Sequence, residues 1–279
     1  MIKIVTDSTA GLPEAMIREH DIRIIPLYVH FGEQAFREGV DISNEQFYER
    51  LRGAAALPTT SQPSVGEFHE AFKELTDAGH EVVALTISSK LSGTWSSAMG
   101  AQEMLPGAPI SVIDSLCTSL ALRLLVEAAL DDRAGGATRQ QIVAHIEQLK
   151  SRLHILLVVD TLEYLAKGGR IGNAKAFLGT LIKTKPLLIL ENGVIEPCEQ
   201  IRSKSKAVAR MLELIEEKLA GQGSQAHIAI AHAVALDEAL AFRQEVVARL
   251  GCAEPSISEV SAAIGAHTGP GVVAIAAYA

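Results

Sequence analysis

The chain has 279 residues, enough for one large or two modest domains. Hydrophobic residues make up 48% and charged residues 21%, which suits a globular protein and is too apolar for a disordered one. The net charge is −8 without a block of Lys or Arg, which argues against a surface for nucleic acid or for anionic membranes.

Short apolar runs alternate with amphipathic stretches along most of the chain. The apolar runs predict strands over residues 2–5, 22–29, 82–87, 110–113, 155–159, 187–190, 228–231 and 272–276. The amphipathic stretches predict helices over residues 44–52, 66–78, 118–131, 138–150, 204–219 and 237–250. Continuous Val, Ile and Leu strands separated by helices indicate an α/β fold whose parallel strands are covered on both faces.

One segment of the second half departs from this alternation. Asn192 and Gly193 separate two apolar runs, and Asn-Gly is the strongest short signal for an antiparallel hairpin. A hairpin at this place predicts a second domain of different design. We therefore expect an N-terminal α/β domain with a parallel sheet over residues 1–150 and a C-terminal α/β domain over 151–279, although the termini are free to cross over.

The cysteines and the apolar runs also indicate where in the cell the protein is expected to lie. Cys117, Cys198 and Cys252 are far apart and form no CxxC pair, so we expect reduced, partly buried thiols and no metal or other cofactor. The N-terminus turns polar after Val5, too early for a signal peptide. No run approaches the ~18 apolar residues of a membrane helix. These features predict a cytoplasmic protein without integral membrane association.

Oxygen-bearing residues recur directly after the predicted strands, where open parallel sheets collect their ligands. Asp7 and Asp114 are two of them, and without a His or Glu cluster they are expected to hold turns rather than a metal. The segment PTTSQPS, residues 58–64, carries hydroxyls on a backbone that its prolines keep extended. Ser64 and Glu67 fit a capping box, so a helix is expected to begin after Ser64.

A plain helix-entry loop would account for the capping box without any ligand, but it leaves Thr59, Thr60 and Ser61 unexplained. The segment SSKLSGT, residues 88–94, follows a buried strand and opens a helix, with Ser92 expected as its N-cap. Free N–H groups beside hydroxyls form an anion site, although serine also caps many helices that bind nothing. Together the two hydroxyl-rich turns predict a site for a small anionic ligand.

Two glycine-rich segments lie in the second half. GAHTGPG, residues 265–271, is expected to be a tight, non-helical loop that aims His267, a residue type that titrates near neutral pH. KGGRIG, residues 167–172, carries Arg170, whose guanidinium can grip a carboxylate or a phosphate. A lone histidine is usually structural, but one pre-aimed by a rigid loop suggests a site.

The familiar catalytic signatures are missing from the sequence. There is no GxxxxGK[ST] phosphate loop, GxGxxG fingerprint, GxSxG elbow or HExxH pair. Ser92 and His267 form the alternative hypothesis of a stand-alone phosphotransferase or acyl hydrolase, although no strained elbow presents the serine. The expectation is a binding protein without its own ATP site.

Taken in chain order, these segments resemble the bacterial DegV family. The matching pieces span the full length and are TDSTAGLP, PLYVHFG, PTTSQPS, SSKLSGT, VIDS, YLAKGGRIG, KPLL followed by NG, and HTGPG. Trp95 stands where the family more often has tyrosine. The resemblance implies a two-domain fold that buries a long-chain fatty acid such as palmitate. In several Gram-positive bacteria such proteins serve as fatty-acid-binding subunits of a fatty acid kinase, so a kinase partner is implied as well.

The resemblance also implies roles for individual residues. It implies that Thr60 and Ser92 grip the carboxylate, with Ser61, Gly93 and Thr94 as helpers. It associates the loop histidine and an arginine with the phosphorylated carboxyl group of the ligand. These positions are His267 for the histidine and either Arg170 or Arg202 for the arginine.

Overall fold

The computed structural model describes residues 1–179 and 184–279. Its strands, in chain order, are β1 (Ile2–Asp7), β2 (Arg23–Ile25), β3 (Tyr28–Phe31), β4 (Gln34–Arg37), β5 (Thr59–Ser61), β6 (Glu81–Thr86), β7 (Ile110–Asp114), β8 (His154–Val158), β9 (Lys185–Glu191), β10 (Val194–Ile201), β11 (His227–His232), β12 (Ser256–Glu259) and β13 (Val273–Tyr278). Its helices are α1 (Glu14–His20), α2 (Asn44–Gly53), α3 (Val65–Asp77), α4 (Thr94–Glu103), α5 (Ser119–Ala134), α6 (Arg139–Lys150), α7 (Glu163–Lys167), α8 (Lys204–Leu219), α9 (Leu236–Leu250) and α10 (Ala262–Thr268). Within these ranges, no helix has the combination of length and hydropathy that a bilayer crossing requires.

The first sheet is parallel, as predicted. Its strands lie in the order β2-β1-β6-β7, and each neighbouring pair runs in the same direction. Val82 and Ala84 of β6 pack with the aromatic side chains of α3, while Val83 and Leu85 belong to the larger core cluster that includes α5 and α6. Because successive side chains of a strand point to opposite faces, both faces of this sheet are buried. Its strands therefore read as continuous apolar runs.

The single strand predicted over residues 22–29 is two strands in two different sheets. β2 ends at Ile25 beside β1, and the chain continues into β3, which pairs with β4 and β5. Pro26 stands between them and has no N–H to donate to a ladder, so the pairing with β1 cannot continue through it. The apolar run is continuous in sequence, but the proline divides it in structure.

A small antiparallel sheet, in the order β4-β3-β5, carries the first hydroxyl-rich turn. Thr60 lies opposite Val29 in the register of β5 against β3. The prediction of an extended backbone for PTTSQPS is confirmed by β5. The helix expected after Ser64 is α3, and both hydrogen bonds of the Ser64–Glu67 capping box are present.

The second large sheet has six strands in the order β10-β9-β8-β13-β11-β12. Among the described strands of this sheet, β11 and β12 form the one parallel pair. The expectation of parallel strands is wrong for β8 and β13, whose neighbours all run antiparallel to them, and it holds for β11 on its β12 side alone. Leu156 and Ile275 pack into the cluster with α8 and α9, whereas Leu157 and Ala274 face the other core cluster. Burial on both faces produces continuous apolar runs whatever the direction of the neighbouring strand.

The predicted hairpin is confirmed. β9 and β10 pair antiparallel around Asn192 and Gly193, whose φ angles are 49° and 81°. Positive φ at both central residues is the conformation that a two-residue hairpin turn requires. The tip of this hairpin reaches the first half of the chain, where the Ser88 hydroxyl donates to the Gly193 carbonyl oxygen over 3.1 Å.

The segment around His267 is a helix and not the tight loop that its glycines predict. α10 ends at Thr268, so His267 lies in its last turn. A Cβ atom at Gly265 would stand 2.5 Å from the hydroxyl oxygen of Tyr48, so this glycine allows α2 to pack closely against α10. That tertiary contact outweighs the helix cost of a glycine, about 1 kcal/mol, which a local pattern cannot foresee.

The strands before and after Lys150 belong to different sheets. All strands up to β7 belong to the first two sheets, and those from β8 onward form the six-stranded sheet. α5 packs on β1 and β6 and also on β11 and β13, so the largest core cluster contains residues of both halves. The division into separate domains near Lys150 stays a prediction.

Candidate functional site

A largely apolar cavity is lined by side chains from both halves of the chain. It encloses about 900 Å³ of space not filled by protein atoms, its open mouth included. Most of its wall consists of aliphatic side chains, among them Leu27, Ile87, Leu120, Ile155, Leu157, Leu165, Leu190, Ile195, Val260, Val272 and Ala274. Its polar wall is made chiefly of hydroxyls, together with Gln62, Arg170 and His267. Such a cavity suits a ligand with a long apolar part and one polar group.

Thr60 and His267 meet at the polar wall although 207 residues separate them. The threonine Oγ1 lies 2.7 Å from Nε2 of the histidine. β5 supplies the first residue from the small antiparallel sheet, and the last turn of α10 supplies the second. The hydroxyl and the imidazole therefore form one hydrogen-bonded unit that faces the cavity.

His267 is held in its neutral form. Burial lowers its pKa to about 4, and the positive charge of Arg170 contributes in the same direction. Its Nδ1 atom is buried and has no hydrogen-bond partner among the described residues. A Cβ atom at Gly168 would lie 2.2 Å from this Nδ1 atom, so the glycine provides the space into which the ring fits.

Ser92, Gly93 and Thr94 lie at the start of α4, and Ser92 is the one of the three that lines the cavity. The N-cap residue of α4 is Gly93, so the prediction of Ser92 as the N-cap is wrong by one residue. The Ser92 Oγ still accepts from the Thr94 N–H over 3.3 Å and lies 2.9 Å from the Thr94 Oγ1. Ser92 lines the cavity, whereas Thr94 is fully buried beneath it.

The two candidate arginines occupy different places. Arg170 lines the cavity and donates from Nε to the Leu91 carbonyl and from Nη1 to the Gly168 carbonyl. The bond to Leu91 joins the KGGR turn to the hydroxyl-rich turn at the start of α4. Arg202 is exposed and does not belong to the cavity wall.

Ser61 and Gln62 complete the polar wall beside Thr60. Ser61 lies in the wall with its Oγ 2.9 Å from Nε2 of His30. The amide nitrogen of Gln62 would stand 3.0 Å from a Cβ atom at Gly93, so this glycine allows the two turns to approach each other. The sequence pointed to Ser61 but not to Gln62, Thr118 or Ser119 as wall residues. Gln62 lies within PTTSQPS but carries no hydroxyl, and Thr118 and Ser119 lie in no motif, so only the fold brings these side chains to the cavity.

The predicted pairing of Ser92 with His267 is not formed. In the described part of the chain, His267 bonds to Thr60, and the Ser92 hydroxyl bonds to Thr94. A serine nucleophile needs a base within hydrogen-bond reach. The geometry therefore favours a polar grip on a ligand over a serine–histidine catalytic pair.

Asp7 and Asp114 hold turns, as expected. Asp7 accepts from the N–H groups of Thr9 and Ile87, and burial raises its pKa to about 6. Asp114 accepts from the N–H groups of Ser89 and Leu116. Asp114 thereby holds the Ser88–Thr94 turn at Ser89, and Asp7 holds Ile87, the residue directly before that turn. Residues 1–179 and 184–279 contain no cluster of three or more His, Cys, Asp or Glu arranged to hold a metal ion.

Comparison with known proteins gives the same family along the whole chain. A family model described as an uncharacterised protein of the DegV family matches residues 1–279. A DegV domain-containing protein of Halalkalibacterium halodurans is 39% identical over 278 residues, which cover 99% of this chain and 98% of the relative.

Solved structures share the fold. A DegV family protein from Thermus thermophilus, described by its fatty acid binding, has a TM-score of 0.94 and 35% identity, with 100% of this chain and 99% of the other covered. A protein from Eubacterium ventriosum, described as binding stearic acid, also has a TM-score of 0.94, with 28% identity and coverage of 100% and 98%. This chain belongs to the DegV family.

Proposed function

We propose that this protein binds a long-chain fatty acid such as palmitate, with its acyl chain in the apolar cavity and its carboxylate at the polar wall. The observation that carries the proposal is the wall of the cavity, aliphatic over most of its area and polar around Thr60, Ser92 and His267. The fatty acid binding described for the structural relatives supports the same ligand class.

The apolar part of the ligand supplies most of the affinity. At roughly 0.8 kcal/mol for each buried CH₂, a C16 chain contributes on the order of 10 kcal/mol before the costs of binding. The carboxylate then needs only enough polar contact to replace its water. Thr60 and Ser92 offer hydroxyl donors, and Arg170 adds a positive charge to the wall.

Neutral donors leave the carboxylate reactive. A hydroxyl satisfies an oxygen atom without neutralising its charge, so a second oxygen stays able to attack a phosphoryl group. In the neutral tautomer that carries its proton on Nε2, with Nδ1 unprotonated and unpartnered among the described residues, His267 donates to Thr60 and leaves the threonine hydroxyl hydrogen free for the ligand. This arrangement suits a carrier that presents the fatty acid to a separate ATP-dependent kinase, with His267 and Arg170 next to the forming acyl phosphate.

The proposal of a bound fatty acid is tested by lipid analysis of the purified protein. Organic extraction followed by mass spectrometry is expected to release one long-chain acid per chain. If none is found, delipidated protein is titrated with palmitate, and saturable binding is expected. A protein that neither carries nor takes up a fatty acid would rule the proposal out.

A second experiment distinguishes the hypothesis of a carrier from that of a stand-alone enzyme. The protein is incubated with ATP and palmitate without any partner, and acyl phosphate is trapped with hydroxylamine. The carrier predicts no product above the level of a Ser92→Ala, His267→Ala control. Product that disappears in this control would instead establish catalysis by the chain alone.

A further inference from the structure

The first turn of α10 is capped by residues from the far end of the chain. Ser261, the residue at the N-cap, makes no side-chain hydrogen bond to the helix. The first N–H groups are instead taken by two side chains of the N-terminal half. The Ala263 N–H donates to Glu38 Oε1 over 2.6 Å, and the Ala262 N–H donates to Asn44 Oδ1 over 3.1 Å. Ser261 is a residue type that commonly caps helices, but its hydroxyl does not cap α10.

Glu38 is itself held by hydrogen bonds of its side chain and of its backbone. Only 4% of its surface is exposed. Its second carboxylate oxygen accepts from the Ser8 hydroxyl over 2.5 Å, and Ser8 in turn accepts from the Leu27 N–H over 2.9 Å. The backbone N–H of Glu38 donates to the Leu27 carbonyl. Leu27 lines the cavity, so the same small network touches the apolar wall and the histidine helix.

A carboxylate at this depth is costly. Burial raises the pKa of Glu38, which means that the charged form is disfavoured by its surroundings. A serine or threonine would cap a helix without that penalty. Capping alone therefore does not account for a buried carboxylate at this position.

The helix carries His267. Glu38 binds at Ala263, and His267 follows four residues later, which is one turn along the same face of α10. A helix of seven residues does not hold its own shape in water, so its position is set by the contacts of its ends. Its start is held by Glu38 and Asn44, and its last turn contacts Thr60.

We propose that Glu38 is a positioning residue, which sets the place of His267 against Thr60 by anchoring the start of α10. Asn44 assists from the neighbouring helix, and Tyr48 fixes the preceding segment through a hydrogen bond to the Val260 carbonyl over 2.9 Å. The importance of this role for ligand binding rests on the proposed function. The geometric effect on His267 does not depend on any ligand.

The test compares Glu38→Met with Glu38→Gln. Methionine keeps the length of the side chain but cannot accept the Ala263 N–H, whereas glutamine keeps an acceptor oxygen at the same place. Thr138→Ala is the matched control, because it removes the side-chain cap of α6, which lies away from the cavity. The readouts are the ¹⁵N and ¹H resonances of the His267 ring without lipid, the dissociation constant for palmitate, and thermal stability.

In Glu38→Met, the His267 resonances are expected to move away from their hydrogen-bonded positions and the palmitate affinity to fall about tenfold or more. Glu38→Gln is expected to restore both to near the wild-type values, and Thr138→Ala is expected to change stability alone. Unmoved His267 resonances in folded Glu38→Met would overturn the proposal. If Glu38→Met does not fold, Asn44→Ala takes its place with the same criterion. Absence of palmitate binding in the wild-type protein would count against the proposed function only, since the ring resonances are measured without lipid.

Discussion

Thr60 Oγ1 and His267 Nε2 lie 2.7 Å apart and join the small antiparallel sheet of the first half to the last helix of the chain. Neither element holds this position alone. β5 has three residues and α10 has seven, and each depends on neighbours for its place. The polar wall of the cavity is therefore a property of the assembled fold, and its parts are testable one at a time.

Removing the hydroxyls of Thr60 and Ser92 is expected to weaken fatty acid binding. The double change Thr60→Ala, Ser92→Ala should cost about 1–3 kcal/mol, which is the range for a charged group that loses its partners. Titration of delipidated protein with palmitate, followed by the fluorescence of the single tryptophan Trp95, measures the effect. The matched control is Thr59→Ala, Ser96→Ala, which removes two exposed hydroxyls next to the same turns. Equal affinities of the two double variants would contradict the assignment.

Gly168→Ala is expected to push the His267 ring out of its place. The added methyl carbon would lie 2.2 Å from the ring nitrogen and 2.9 Å from the Tyr164 carbonyl oxygen, so the histidine or the turn must move. We expect a loss of about 1–3 kcal/mol in unfolding free energy together with weaker palmitate binding. Urea unfolding and lipid titration measure both. Gly53→Ala is the control, because a Cβ atom there meets no atom within 4 Å.

The pH dependence of stability should carry a contribution from His267. Its pKa is about 4 in the folded protein against an ordinary value of 6.5. Between these two pH values the unfolded chain binds more protons than the folded protein. The contribution of the neutral His267 to stability is therefore complete above about pH 6.5 and is lost as the pH falls toward 4. The loss is on the order of 3 kcal/mol.

The comparison of His267→Gln with wild type isolates this contribution. Unfolding free energies are measured by urea titration at several values between about pH 7.5 and pH 4.5. The variant is expected to show a flatter decline toward low pH. His69→Gln, a change of a partly buried histidine on α3 outside the cavity wall, is the matched control. Parallel curves for wild type and His267→Gln would show that the ring is not held neutral by the fold.

A larger side chain at Ala274 is expected to shorten the acyl chain that the cavity accepts. Ala274 is the second residue of β13 and lines the cavity. Leucine at this position fills space that the ligand would use, and each CH₂ that no longer fits costs roughly 0.8 kcal/mol, or about fourfold in affinity. Dissociation constants for saturated acids of increasing length reveal the shift. Ala241→Leu, on the exposed side of α9, is the control, and an equal loss for all chain lengths would argue against a shared cavity wall.

Much of the architecture follows from local patterns. The parallel first sheet, the Asn192–Gly193 hairpin and the helix capped by Ser64 are all confirmed, because strand burial, turn conformation and capping act over a few residues. The errors have two causes, a proline that interrupts an apolar run and a contact between residues far apart in the chain. Pro26 divides an apolar run between two sheets, and the packing of Tyr48 on Gly265 turns an expected loop into a helix.

The candidate site also combines features that local patterns determine with features that only long-range contacts determine. The sequence by itself indicates which segments carry hydroxyls, the histidine and the arginines, because turn and helix-entry motifs are local. It does not determine which of them meet. Only the tertiary structure sets His267 against Thr60 rather than Ser92, brings Arg170 and not Arg202 to the cavity, and caps α10 with Glu38 from 225 residues away. Contacts between groups so far apart in the chain depend on the packing of whole sheets and helices, and no local pattern encodes that packing.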